Sequence, residues 1–265
     1  MNFVASASTD IGLTKSTNQD SFGVKIVSTK LGNIATAILC DGMGGYLDGE
    51  LASATVVDAF HKWVMNRLPV LCDDKITDTI IKQEWLQIVN DCNEKIQAYG
   101  KAKAKSLDIG EYTLGTTATM MMLTPTRYFI MNVGDSRAYE ITDKATVLTK
   151  DQNVGAQLDK LAEIGQISWE EAKGDPRRNV LLFAVGASDD IRPDMFYGET
   201  KKDAVYMLCS DGFRNVITEE EIQKNLSPEN MYEIYQMKHN MDTLIELDKL
   251  RQESDNITVV SIRTY

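Results

Sequence analysis

Five aspartates of this chain stand where short apolar, strand-like runs begin or end. Asp41 follows AILC, Asp135 follows FIMNVG, Asp211 follows VYMLCS, and Asp20 and Asp255 come just before SFGV and NITVVSI. Each one alone is better explained as a turn residue, because Asp is common in turns. All five together indicate more, since carboxylates that converge in a fold cannot all stay ionised without compensating cations. The pattern favours a site for hard divalent cations at the rim of a sheet.

The residues around Asp41 favour magnesium or manganese over zinc. Asp41 is followed by Gly42-Met43-Gly44-Gly45, and a backbone without a side chain allows the carbonyl of Gly42 to face a metal as well. Carboxylate and carbonyl oxygens suit Mg²⁺ and Mn²⁺. Zinc fits less well because the chain has two histidines, His61 and His239, both in predicted helices, and no CxxC pair.

Short runs rich in β-branched and aromatic residues predict strands near both ends of the chain and in its middle. They cover residues 2–9, 21–29, 33–40, 116–124, 127–134, 136–142, 144–151, 204–210 and 256–264. The runs between 116 and 151 follow one another closely, which is typical of an antiparallel meander.

Apolar residues at three- and four-residue steps predict helices between the groups of strands. A first helix runs from Gly49 to Leu68, and a second begins at Thr77 and Asp78. A short helix follows Asn153, and two more cover 218–226 and 228–252, the last one starting at Ser227-Pro228. The predicted buried stripes are Leu51, Ala54, Val57, Phe60, Val64 and Leu68 in the first helix, and Ile81, Trp85, Ile88, Cys92, Ile96 and Tyr99 in the second.

This order of elements predicts an α+β fold in which antiparallel sheets pack together and helices cover their outer faces, as one domain spanning residues 1–265. The formal charge of −11 disfavours nucleic acid and anionic membranes as partners. We find neither an apolar stretch long enough to cross a bilayer nor an export signal, so the four cysteines are interpreted as reduced thiols of a cytoplasmic protein.

Eight segments occur in an order and at a spacing that resemble a known family. They are TNQDSFGV, CDGMGGYLDGELAS, LGTTATMMML, MNVGDSRAYEI, LTKDQNV, RRNVLLFAVG, LCSDGFRNVI and SDNITVV. Together they resemble the successive motifs of the metal-dependent protein serine/threonine phosphatases of type 2C, in particular the short bacterial-type catalytic domain. The resemblance extends from about Thr9 to the last predicted strand.

The resemblance implies a four-layer αββα sandwich, with two packed central antiparallel β-sheets and a metal centre of two Mn²⁺ or Mg²⁺ ions at one edge. It implies that Asp41 bridges the two ions, that the carbonyl of Gly42 is a ligand, and that Asp211 and Asp255 are direct ligands. Asp20 would hold metal-bound water, and Asp135 with Asp211 would hold a third ion, as in bacterial members.

The same resemblance assigns one further residue, Lys15, and one further segment, 155–185. Lys15 stands where the family usually has a phosphate-binding arginine, and lysine supplies charge without the bidentate geometry of a guanidinium. Residues 155–185 correspond to the family's mobile flap, which is a candidate for substrate choice. The other interpretation of Lys15 is an ordinary solvated surface lysine.

The activity implied by the resemblance is hydrolysis of phosphoserine and phosphothreonine on proteins by a water activated between two divalent cations. The expected partners are phosphorylated proteins and a cognate serine/threonine kinase, and we expect a monomer. Two alternatives stay open at this point: a type 2C domain that acts as a binding or regulatory module, and a small-molecule phosphatase that uses the same site.

Overall fold

The computed structural model describes residues 1–44, 48–73 and 76–265, and these ranges contain two antiparallel sheets and flanking helices. The strands are β1 (Phe3–Asp10), β2 (Asp20–Thr29), β3 (Gly32–Gly44), β4 (Leu114–Thr116), β5 (Ala118–Leu123), β6 (Arg127–Val133), β7 (Arg137–Ile141), β8 (Ala145–Val147), β9 (Asp194–Glu199), β10 (Val205–Cys209) and β11 (Ile257–Thr264). The helices are α1 (Gly49–Asn66), α2 (Leu68–Asp73), α3 (Asp78–Leu107), α4 (Val154–Glu163), α5 (Trp169–Gly174), α6 (Asp211–Arg214), α7 (Glu219–Leu226) and α8 (Ile234–Leu250), with a 3₁₀ turn at Pro228–Asn230.

The strands form two sheets with different orders. The first sheet has the order β1-β11-β10-β7-β8, and the second has the order β2-β3-β5-β6-β9, with β4 paired to the end of β3. The pairings between these strands are antiparallel. The first and last strands are neighbours, and their pairing extends to the chain ends, where the backbone N–H of Asn2 donates to the carbonyl of Tyr265 at 2.9 Å.

Three apolar clusters separate four layers. Leu39, Met121 and Ile130 of the second sheet pack against Tyr206 and Val260 of the first. A second cluster lies between the second sheet and α1 to α3, and a third lies between the first sheet and α6 to α8. The predicted α+β sandwich is therefore confirmed, while the assignment of the whole chain to one domain stays a prediction.

The apolar face of α1 differs from the prediction in its first turns. Leu51 is 40% exposed and Ala54 is also exposed, whereas Ala52 and Val56 are fully buried. The other four predicted positions, from Val57 to Leu68, are buried as expected. Next to Ala52, the Ser53 hydroxyl donates to the carbonyl of Gln19 at 2.6 Å, a contact that a stripe inferred from apolar residues alone does not include.

Two further elements depart from the predicted pattern. The helix predicted from Pro228 begins only at Ile234, because Pro228–Asn230 forms a 3₁₀ turn and Met231 leaves the helical conformation with φ −125°. Strand β9 was not predicted, since its residues are only partly buried and show no alternation. It forms through pairing with β6 at the edge of the second sheet.

None of the helices in the described ranges combines the length and the apolar character that crossing a bilayer requires.

Candidate metal centre

Asp20 and Asp41 are brought side by side by the pairing of β2 with β3. They are partners in the antiparallel register, so their side chains lie on the same face of the second sheet. The backbone of Asp41 is fixed on its other side, where its N–H donates to the Thr117 hydroxyl at 2.9 Å and its carbonyl accepts from the N–H of Thr117, also at 2.9 Å. Thr116 donates its hydroxyl to the same carbonyl at 2.9 Å. The LGTT segment thus holds the backbone of Asp41 in position.

Gly42 lies where three backbone segments meet. Its N–H donates to the carbonyl of Gln19 at 3.1 Å, and it pairs with Thr116 across β4. A Cβ atom at this position would collide with the carbonyl oxygens of both Gly49 and Gln19. Only glycine therefore fits, because the backbones of β3, the start of α1 and the residue before β2 are in direct contact.

Asp211 and Asp255 approach the same rim from the first sheet. Asp211 follows β10 and starts α6, while Asp255 precedes β11, the strand paired with β10. The N–H groups of Ser254 and Asp255 donate to the Glu253 carboxylate at 2.7 and 3.0 Å, which fixes the turn before β11. The centre is thus assembled from both sheets of the sandwich.

Asn256 joins the segment before β2 to the segment before β11. Its side-chain amide donates to the carbonyls of Ile11 and Thr17 at 2.8 and 3.2 Å, and its side-chain oxygen accepts from the N–H of Gln19 at 2.9 Å. The residues just before Asp20 are therefore joined to the residue just after Asp255 by one side chain that sequence reasoning did not single out.

Repulsion from the neighbouring carboxylates affects the pKa of Asp41. Burial raises the pKa of Asp41 well above its ordinary value, and Asp20, Asp211, Asp255 and Asp135 all add to the shift. The five predicted aspartates are thus brought within electrostatic range of one another.

The neighbours of Asp41 shift in the same direction. Burial raises the pKa of Asp20 to about 7; the Thr258 and Ser210 hydroxyls oppose this shift, and the charges of Asp211 and Asp255 add to it. Burial, followed by the charge of Asp255, raises the pKa of Asp211, although Arg214 opposes this shift. The carboxylates at this rim therefore bring together more negative charge than the cationic side chains among the described residues balance.

Asp135 is buried, with 5% of its surface exposed, between β6 and β7. Its carboxylate accepts from the Asn153 amide at 2.9 Å, and Arg214 lies 3.7 Å away. Burial and then the charge of Asp211 raise the pKa of Asp135 to about 6. Arg214, which also reaches Asp151 at 3.4 Å, was missed by sequence reasoning. The sequence feature that could have identified Arg214 is its position three residues after Asp211, on α6.

Lys15 is near the centre but has a carboxylate partner. Its ammonium nitrogen lies 2.7 Å from Oδ1 of Asp255, and both side chains remain more than a third exposed. The predicted phosphate contact is not tested by this geometry and stays a prediction.

The donors present fit divalent cations, provided that further ligands complete the set. Both carboxylate oxygens of Asp20 and Oδ1 of Asp211 are buried and accept no hydrogen bond of 3.5 Å or less among the described residues, although the Thr258 and Ser210 hydroxyls lie near Asp20. Such oxygens suit a cation or its bound water. As the side chains stand, no three acidic, histidine or cysteine side chains in the described ranges could hold one ion together. A centre here therefore also needs the Gly42 carbonyl, water, or a rotation of Asp255 away from Lys15.

A cleft of about 630 Å³ opens beside Asp211. Its walls come from β7 and β8, from α6, and from α4 of the predicted flap. The guanidinium of Arg178 holds the flap together by donating to both carboxylate oxygens of Asp159 at 2.9 and 2.8 Å. The predicted flap thus consists of α4, α5 and the loop that follows, and it borders the cleft next to the carboxylates.

The fold and this rim of carboxylates agree with comparisons to known proteins. The chain belongs to the protein phosphatase 2C family, whose family model matches residues 13–245. It is similar to the serine/threonine phosphatase stp of Listeria innocua, with 28% identity over 96% of this chain and 93% of that protein. It is also similar to a putative protein phosphatase 2C-type of Streptococcus pyogenes, with 29% identity over 97% of this chain and 96% of that protein.

Solved structures give the same result. The S. agalactiae serine/threonine phosphatase matches with a TM-score of 0.80 and 27% identity, over 100% of both chains. The catalytic domain of the serine/threonine protein phosphatase PstP, solved in complex with two manganese ions, matches with a TM-score of 0.71 and 27% identity. That match covers 98% of this chain and 97% of the PstP chain.

Proposed function

We propose that the chain is a metal-dependent protein phosphatase that hydrolyses phosphoserine and phosphothreonine. The observation that carries the proposal is the convergence of five aspartates from both sheets, where burial and the charges of the other four raise the pKa of Asp41 well above its ordinary value. Membership of the phosphatase 2C family and the similarity to bacterial serine/threonine phosphatases support it.

Each residue would have a distinct part. Asp41 would bridge two ions, with the Gly42 carbonyl, Asp211 and Asp255 as further direct ligands, and Asp20 would orient bound water. Divalent cations held here would supply the charge that acidifies an attacking water and neutralises phosphoryl oxygens. The support residues Thr116 and Thr117 would keep Asp41 in position through their contacts with its backbone.

The identity and number of the ions belong to this proposal. The two manganese ions of the PstP structure support manganese, and magnesium suits the same oxygen donors. Asp135 and Asp211 would hold a third ion. The raised pKa of Asp135 is compatible with this role, because a nearby cation would offset the cost of ionising a buried carboxylate next to Asp211. Lys15 would contact the phosphoryl group of the substrate.

The substrate would be a phosphorylated protein segment lying across the cleft beside Asp211, with the flap on one side. Phosphorylated proteins and an opposing serine/threonine kinase are the partners that this activity requires, and we expect a cytoplasmic monomer. A small phosphorylated metabolite is the competing substrate class, and a purely binding role is the competing function.

The experiment compares wild type, Asp211→Asn and Asp248→Asn on an aryl phosphate, a phosphothreonine peptide and a phosphorylated metabolite. Each is assayed with Mn²⁺, with Mg²⁺ and with chelator. Asp248 is the matched control. It is another buried aspartate whose carboxylate oxygens have no hydrogen-bond partner among the described residues, and it lies on α8, outside the group of five aspartates. We expect metal-dependent turnover of the peptide that Asp211→Asn lowers by about 100-fold or more and Asp248→Asn leaves intact.

The alternatives give different results. A binding module would bind Mn²⁺ without turning over any of the three substrates. A metabolite phosphatase would prefer the small substrate to the peptide by kcat/KM. Turnover that is equal in Asp211→Asn and wild type would contradict the proposed centre itself.

A further inference from the structure

Lys15 is held against Asp255 by the loop that carries it. The Thr14 hydroxyl donates to the carbonyl of Ser254 at 2.7 Å, and Gly12 lies directly on the backbone of Asp255. The amide of Asn256 binds the carbonyls of Ile11 and Thr17 on either side of Lys15. The 2.7 Å contact between the Lys15 ammonium and Oδ1 of Asp255 is therefore part of a joined pair of segments and does not depend on the lysine stem alone.

The ammonium also lies in the field of the other carboxylates. The charges of Asp41 and Asp211 act on the Lys15 ammonium in addition to its 2.7 Å contact with Asp255. Lys15 thus carries its positive charge next to the same three carboxylates that the proposed centre uses as direct ligands.

A second positive charge would conflict with this arrangement. Oδ1 of Asp255 already accepts the N–H of Asn256 at 2.8 Å in addition to the ammonium of Lys15. A divalent cation that takes this carboxylate as a ligand, through either oxygen, shares its negative charge with the ammonium and repels the ammonium. Lysine can leave, because its charge stands on a flexible four-carbon stem.

We infer that Lys15 and a divalent cation are alternative partners of Asp255, so that Lys15 weakens cation binding there and turns toward the phosphoryl group once the cation has displaced it. The inference rests on the proposed metal centre and adds a coupling to it: loading of the ion ligated by Asp255 and the availability of Lys15 for substrate become one event.

The expected size of the effect follows from the exposure of the pair. The two side chains are 39% and 38% exposed, and ion pairs of this kind are weak in water. Removing the ammonium should therefore tighten cation binding by about two- to fivefold.

The test is calorimetric titration of Mn²⁺ into the full chain as wild type, Lys15→Met and Lys30→Met, with turnover of a phosphothreonine peptide measured in parallel. Lys30 is the matched control, since its ammonium also lies 2.7 Å from a carboxylate oxygen, that of Asp73, and it follows β2 at the end of that strand opposite to Asp20. Lys15→Met should bind Mn²⁺ about two- to fivefold more tightly while KM for the peptide rises, and Lys30→Met should match wild type in both.

A double-mutant cycle separates the specific pair from general repulsion. In an Asp255→Asn background, the tightening caused by Lys15→Met should disappear, because no carboxylate remains for the two cations to share. Tightening of equal size in that background, or an unchanged Mn²⁺ affinity in Lys15→Met, would overturn the inference. Absence of Mn²⁺ binding to wild type would instead overturn the proposed centre.

Discussion

Gly12 and Asp255 are in contact through their backbones, so closely that a Cβ atom on Gly12 would collide with the Asp255 carbonyl oxygen. Gly12 also has φ +76°, a conformation that side chains with a Cβ atom rarely adopt. The loop before β2 can therefore approach the residue before β11 this closely only because residue 12 has no Cβ atom. The geometry of the proposed centre depends on this close approach.

Gly12→Ala should destabilise the chain and impair the centre, and Gly165→Ala is its matched control. Gly165 has φ +72°, but a methyl group added there would meet nothing within 4 Å among the described residues, so its substitution isolates the conformational cost, about 1 kcal/mol. Gly12→Ala adds a collision with Asp255, so we expect a clearly larger loss in urea unfolding and weaker Mn²⁺ binding by calorimetry. Equal stability losses and an unchanged Mn²⁺ affinity would contradict the structural role of Gly12.

Asp41→Asn should stabilise the protein in chelator while abolishing turnover. Because the pKa of Asp41 is raised in the folded state, the unfolded chain releases this proton at lower pH, and the folded state loses stability as pH rises above about 4. The neutral amide removes this penalty, so the variant should gain about 1 kcal/mol or more at pH 8 and almost nothing at pH 4. Urea unfolding at both pH values in chelator measures the difference; a variant that is less stable than wild type at pH 8 would show that repulsion at Asp41 is not significant.

Asp248→Asn should also stabilise the protein, and again more at high pH. Asp248 is fully buried, with neither carboxylate oxygen bonded among the described residues, and burial followed by the charge of Glu253 raises its pKa to about 8. The folded state therefore retains a proton between pH 4 and 8 that the unfolded state has released, and stability falls across this window. We expect Asp248→Asn to exceed wild type by about 1 kcal/mol or more at pH 8 and to equal it near pH 4, as measured by thermal unfolding in chelator. A gain that is independent of pH would indicate a packing effect.

The positions of the aspartates at strand ends could be predicted from the sequence, because local residue patterns determine both where a strand ends and which turn residues stand next to it. An apolar run followed by Asp and Gly marks the end of a strand wherever it occurs, and the antiparallel sheets bring such ends to one rim. The pairing of Asp20 with Asp41 follows from the register of β2 and β3. The catalytic and ligand roles assigned to these residues stay predictions.

The features that sequence reasoning missed depend on contacts between distant residues. The buried face of α1 includes Ser53, whose hydroxyl binds the carbonyl of Gln19, and β9 pairs with β6 at the edge of the second sheet. The contact of Lys15 with Asp255 joins residues at opposite ends of the chain, and Arg214 acquires its partners only when α6 packs beside β6 and β7. No local periodicity encodes such pairs.

The pairing of β1 with β11 has a geometric consequence for attaching the protein to anything else. Asn2 and Tyr265 are hydrogen-bonded to each other, whereas Asp10 and Ile257 mark the opposite ends of the same two strands. Eight paired residues span roughly 23 Å, so Asn2 and Tyr265 lie about that far from the carboxylate rim. A fusion partner or a surface tether joined next to either residue would therefore be attached about one strand length away from the carboxylates.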